Sequence, residues 1–145
     1  MSSIIGTTSG ALIKTGTGIW TLSGDNTNTG GTTITAGTLR LGAADRLADA
    51  GTMTLNGGTF STGATIGYNE TVSTLALNDK SAIALGTGVH TLTFASSNGI
   101  TWTSGKILTI TGWTGGYNGT TGTSGKIFVG NSATGLTAAQ LAQIM

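Results

Sequence analysis

Short apolar-x-apolar pairs recur along the chain, each flanked by Thr, Ser or Gly: Trp20/Leu22, Leu39/Leu41, Met53/Leu55, Leu75/Leu77, Ile83/Leu85, Leu92/Phe94, Ile100/Trp102 and Leu108/Ile110. A spacing of two puts both side chains of a pair on one face of a strand and turns the residue between them the other way. The pattern therefore predicts a series of short strands, each half buried, with these residues as the core ladder. Between the pairs stand GDNTNTGG (24 to 31), AGT (36 to 38), NGGT (56 to 59) and SNG (97 to 99), where Gly and Asn supply the positive φ that tight corners need.

Strands this short cannot stand alone, and a sandwich, a barrel or a solenoid could each be built from them. Three features favour a solenoid. The core positions are mainly aliphatic while Thr dominates the opposite parity, as expected when like residues stack in ladders. The turns are mostly Gly, Asn and Thr, without the long connections of a Greek key. The strings GIWTLSG, GTLRLG and GTMTLNGG read as one unit copied along an axis. The expected architecture is a single all-β solenoid domain over residues 1 to 145.

Two segments depart from this pattern. In GLTAAQLAQIM, Thr137 is followed three residues later by Gln140, the spacing of a capping box, and Leu136 with Leu141 can staple the first turn. A short helix is expected over about 138 to 145, with Leu141 and Ile144 covering the end of the stack. LGAADRLADAG (41 to 51) has helical leanings and reads as an excursion between turns.

Composition narrows the function. The chain holds 26 glycines and no proline, and threonine fills roughly a fifth of it. Charged residues are only 8% while hydrophobic residues reach 37%, so polarity comes from hydroxyls and amides, unlike a disordered chain. A net charge of +1 from six basic and five acidic residues offers no patch for a phosphate backbone, so nucleic acid is not expected as a partner. No stretch approaches the ~20 apolar residues of a membrane span, so no membrane insertion is expected, and an export signal would lie outside this sequence. The absence of cysteine removes disulfide frameworks and thiol chemistry.

Lys14 to Gly42, KTGTGIWTLSGDNTNTGGTTITAGTLRLG, closely resembles the autotransporter-associated β-strand repeat of passenger regions in large bacterial type V secreted proteins. A looser echo runs through GTMTLNGGTFSTG, Gly51 to Gly63, and the ending GLTAAQLAQIM is similar to the tail that follows such repeats. The resemblance implies a right-handed parallel β-helix, an extracellular or cell-surface location, and a role as stalk, adhesin or matrix component.

Catalysis is not expected. Glycan-cleaving solenoids need paired carboxylates or a calcium-binding acidic cluster, whereas the acids here are Asp25, Asp45, Asp49, Glu70 and Asp79, of which only Asp45 and Asp49 are close in sequence. His90, the single histidine, sits on the parity of Leu92 and Phe94 and reads as a hydrogen-bonded or surface imidazole. Asp25, Asn26 and Asn28 read as Asx-type turn residues, and neither metal nor cofactor is implied. Trp113 and Tyr117 either pack beneath the terminal helix or stack on sugar rings. The Thr-x-Thr pairs raise ice binding, but their irregular intervals argue against one flat array. The expected function is a structural or adhesive module that self-associates end to end, its N-terminal edge being the docking surface. A glycan-binding module of an adhesin is the alternative, ahead of a polysaccharide-active enzyme or an ice-binding protein.

Overall fold

A computed structural model describes residues 4 to 6, 9 to 114 and 124 to 145. Its strands, in chain order, are β1 (Leu12–Lys14), β2 (Ile19–Leu22), β3 (Thr32–Ile34), β4 (Thr38–Leu41), β5 (Met53–Asn56), β6 (Thr59–Ser61), β7 (Glu70–Val72), β8 (Leu75–Asp79), β9 (Ser81–Ala84), β10 (Thr91–Phe94), β11 (Leu108–Thr111) and β12 (Lys126–Val129), followed by one helix, α1 (Ala138–Leu141). Every pairing between these strands is parallel. They form a four-stranded sheet ordered β1-β3-β5-β8, a five-stranded sheet ordered β11-β9-β6-β4-β2 and a three-stranded sheet ordered β12-β10-β7. The chain alternates between the first two sheets through β6, enters the third at β7 and completes about four turns, so the fold is the expected parallel β-solenoid.

Register carries the period-two pattern from turn to turn. In the five-stranded sheet Trp20, Leu39, Phe60, Ile83 and Ile110 lie in one row. In the four-stranded sheet Leu12, Thr32, Met53 and Leu75 form one row, and Lys14, Ile34, Leu55 and Leu77 the next. In the three-stranded sheet Glu70 stacks with Leu92 and Ile127, and Val72 with Phe94 and Val129. These inward rows meet in one buried cluster that includes Leu22, Leu39, Leu41, Met53, Leu55, Phe60, Ile83, Leu92 and Phe94. Such stacking works because each turn buries its apolar face against the turns on either side.

The expected ladder needs three corrections. Trp20 has the inward parity but is 38% exposed, because β2 is the last strand of its sheet and only one side of the indole meets another turn. Ile100 and Trp102 belong to no strand. Trp102 is nonetheless buried, its indole N–H donating to the Leu75 carbonyl at 2.9 Å, while Ile100 is only partly buried against the core. Ile110, in the terminal strand β11, is likewise only partly buried.

The C-terminal segment also differs from expectation. The helix ends at Leu141 rather than running to 145, and Ile144 instead makes a parallel bridge to Leu108. Both bonds of the capping box are made: the Gln140 N–H donates to Thr137 Oγ1 at 3.2 Å, and the Thr137 N–H donates to Gln140 Oε1 at 2.7 Å. Leu141 is 54% exposed, and the residue that α1 buries is Gln140. Its Nε2 donates to the carbonyls of Ser97 at 2.9 Å and Ile100 at 2.8 Å, closing the end of the stack with hydrogen bonds to a turn that has no strand to pair with.

Candidate functional site

Four buried polar groups dominate the interior, and sequence reading singled out only some of them. Lys14 ends the row of Ile34, Leu55 and Leu77 and is fully buried. Its ammonium donates to the carbonyls of Thr15 (2.8 Å), Gly16 (2.7 Å) and Ala36 (3.1 Å), and lies 5.4 Å from the centre of the Trp20 ring. Three donors therefore meet three acceptors, with an aromatic face completing the shell, which is how a buried cation is made tolerable.

Glu70 occupies an inward position of β7 and is 1% exposed. One carboxylate oxygen accepts the N–H groups of Arg46 (2.8 Å) and Leu47 (3.2 Å), while the other has no hydrogen-bond partner. Asp45, at φ 53, turns the excursion so that these two N–H groups converge on Glu70. Burial raises the Glu70 pKa from 4.5 to about 7; the Asp45 charge adds to the rise, and the N–H groups of Arg46, Leu47 and Thr71 oppose it.

His90 is buried between the backbones of neighbouring turns. Thr62 Oγ1 accepts the Gly86 N–H at 2.9 Å and is hydrogen-bonded to His90 Nε2, also at 2.9 Å. Nδ1 lies 3.0 Å from the Gly88 carbonyl, which can only accept, so Nδ1 carries a proton. A Cβ at Gly67 would stand 2.1 Å from the ring and one at Gly125 2.3 Å, so glycine is required on both sides. Asn26 ties turns together: its Nδ2 donates to the Gly24 and Arg46 carbonyls and its Oδ1 accepts the Ile5 N–H, whereas Asn28 Nδ2 bonds locally to the Gly31 carbonyl.

The remaining acids are dispersed. Asp25 pairs with Arg46, and Asp79 pairs with Lys106 at 2.7 Å, a hydrogen bond that lowers the Asp79 pKa. Asp45 and Glu70 are near enough for their charges to interact, but Glu70 faces the core, out of reach of a substrate. Among the described residues no group of three or more His, Cys, Asp or Glu could hold a metal ion. No helix among them is long and apolar enough to cross a membrane.

Trp113 is 43% exposed and lines an open cavity of about 320 Å³ with Ile110, Ile127, Val129, Ser132, Leu136 and Ile144. Those neighbours are mainly aliphatic, a setting that resembles packing beneath the terminal segment more than the polar frame that orients a sugar. Tyr117 lies outside the described residues. The Thr-x-Thr pairs fall on different sheets, Thr33 aligning with Thr54 on one and Thr93 with Thr71 on another.

Residues 12 to 41 match the family model of the passenger-associated-transport-repeat, over the stretch whose resemblance was read from sequence. They comprise β1 to β4, one complete turn and two faces of the next. No curated protein and no solved structure matches the chain.

Proposed function

We propose that the chain serves as a structural module of a secreted or surface-exposed bacterial protein: a stalk segment that holds neighbouring parts in fixed relation. The observation that supports this reading is the stack of parallel turns. Each sheet continues through successive turns, with one register shift between Leu55 and Asn56, buried polar groups are satisfied mostly by neighbouring turns, and the passenger repeat covers the first turn and part of the second. The aliphatic surroundings of Trp113 favour this role over glycan binding.

The test pairs limited proteolysis with a screen against surface and matrix glycans. A structural module resists cleavage within residues 12 to 111 and shows no saturable binding. Saturable sugar binding that vanishes in Trp113→Ala, with the fold intact by circular dichroism, would transfer the assignment to a binding module. Sedimentation across a concentration series addresses end-to-end association.

A further inference from the structure

Three Asn-Gly steps occur in the sequence, at Asn56, Asn98 and Asn118, the last lying outside the described residues. We infer that Asn98 is a site of spontaneous covalent self-modification, converting to aspartate and isoaspartate, and that its conversion loosens the C-terminal cap.

The chemistry needs three things: a free backbone N–H after the asparagine, no side chain crowding that nitrogen, and stabilisation of the amide oxygen as it gains charge. At Asn98 all three meet. Asn98 and Gly99 are both exposed, and a Cβ built on Gly99 meets no atom within 4 Å. The Ser96 hydroxyl donates to Asn98 Oδ1 at 3.3 Å, placing a donor on the oxygen where negative charge develops. The Gly99 nitrogen attacks Asn98 Cγ and a C–N bond forms. The bond to the side-chain nitrogen breaks, and ammonia leaves carrying the proton that water relays from Gly99. Water then opens the succinimide at either carbonyl, with no oxidant or reductant.

Asn56 has the same dipeptide in a protected setting. It ends β5 and is half buried, and the Gly57 N–H donates to Ser81 Oγ at 2.9 Å, so the nucleophile is occupied. Releasing a hydrogen bond of ordinary net worth slows the attack roughly fivefold, and the strand slows it further.

The location gives the reaction a consequence. Gln140 grips the carbonyls of Ser97 and Ile100, which bracket the Asn98–Gly99 turn. Isoaspartate inserts a methylene into the backbone between those two carbonyls, so one side chain can no longer hold both.

The experiment incubates the full chain at mildly alkaline pH and follows each Asn-Gly peptide by mass spectrometry with enzymatic isoaspartate labelling. Asn98 should convert at least fivefold faster than Asn56. Ser96→Ala and Gly99→Ala should each slow it severalfold, and Ser81→Ala should speed Asn56. Ser96 and Gly99 are exposed, so both of their variants are expected to fold. Converted chains, separated by their added negative charge, should show faster hydrogen exchange over residues 137 to 145. Conversion of Asn98 no faster than Asn56, or unaffected by both Ser96→Ala and Gly99→Ala, would overturn the site. Unchanged exchange in converted chains would overturn the link to the cap.

Discussion

Glu70→Gln tests how the excursion at residues 41 to 51 is held. In the folded chain the Glu70 carboxyl titrates at about 7, against 4.5 in the absence of burial. Because the folded value is the higher, the folded state binds more protons than the unfolded state between those two values. The stability linked to Glu70 is therefore fully present below pH 4.5, declines as pH rises through 7, and levels off above. At 1.36 kcal/mol per pKa unit the whole swing is ~3 kcal/mol, a large part of the ~5–15 kcal/mol that holds a typical domain folded. Glutamine keeps an oxygen to accept from Arg46 and Leu47 but cannot ionise. Its new N–H₂ group can cost ~1–3 kcal/mol if left unpaired, an offset that does not vary with pH. Urea unfolding of both proteins from pH 4 to 8.5 separates the effects, since every other ionisable group is shared and cancels in the difference. We expect the wild type to lose up to ~3 kcal/mol relative to the variant between pH 4.5 and 7.5. Parallel curves across that window would refute the assignment of a buried, poorly solvated carboxyl to Glu70.

Replacing Lys14 with Met keeps the apolar stem but removes the donor from three carbonyls, and should cost about 2 kcal/mol by denaturant unfolding. Gly67→Ala forces a methyl into the His90 ring and should cost ~1–3 kcal/mol. A double-mutant cycle with His90→Ala should recover part of that loss, because the two residues touch. Thr137→Ala removes the helix N-cap and should cost ~1 kcal/mol if that end unfolds with the rest, or appear as faster exchange confined to residues 137 to 145 if it frays alone.

Most strands that the sequence reveals have two apolar inward residues, although β12, with Ile127 and Val129 at the same spacing, was missed. Leu39/Leu41, Met53/Leu55 and Leu92/Phe94 announce themselves by spacing, and each is buried where the pattern puts it. β1 and β7 escaped because one inward position is Lys14 or Glu70, so a polar letter breaks the pair even though the strand geometry is the same. β3 hid likewise, with Thr32 pointing inward ahead of Ile34. Ile100/Trp102 shows the converse, an apolar pair with the right spacing and no strand, because Trp102 reaches the core from an irregular segment anchored to the Leu75 carbonyl. At the helix, the capping box was legible because it is local, whereas the burial of Gln140 over Leu141 depends on carbonyls some 40 residues away. The same holds for the interior site. Nothing near Glu70 or His90 in sequence marks Arg46, Thr62 or Gly67 as partners, since side-chain bonds from one turn to the next join residues 19 to 28 positions apart.

The rotation of the chain through three sheets has a consequence for reach. Each circuit of roughly 20 residues advances the stack by one strand spacing of ~4.8 Å, whereas the same residues in an α-helix would extend ~30 Å. A coil of this kind is a poor way to cover distance and an effective way to multiply sides. An added circuit lays down new strips of outward-facing side chains on up to three sheets, each following the strip before it. Substitutions on those strips can diversify without disturbing the inward rows, so what accumulates along such a chain is wall area more than length.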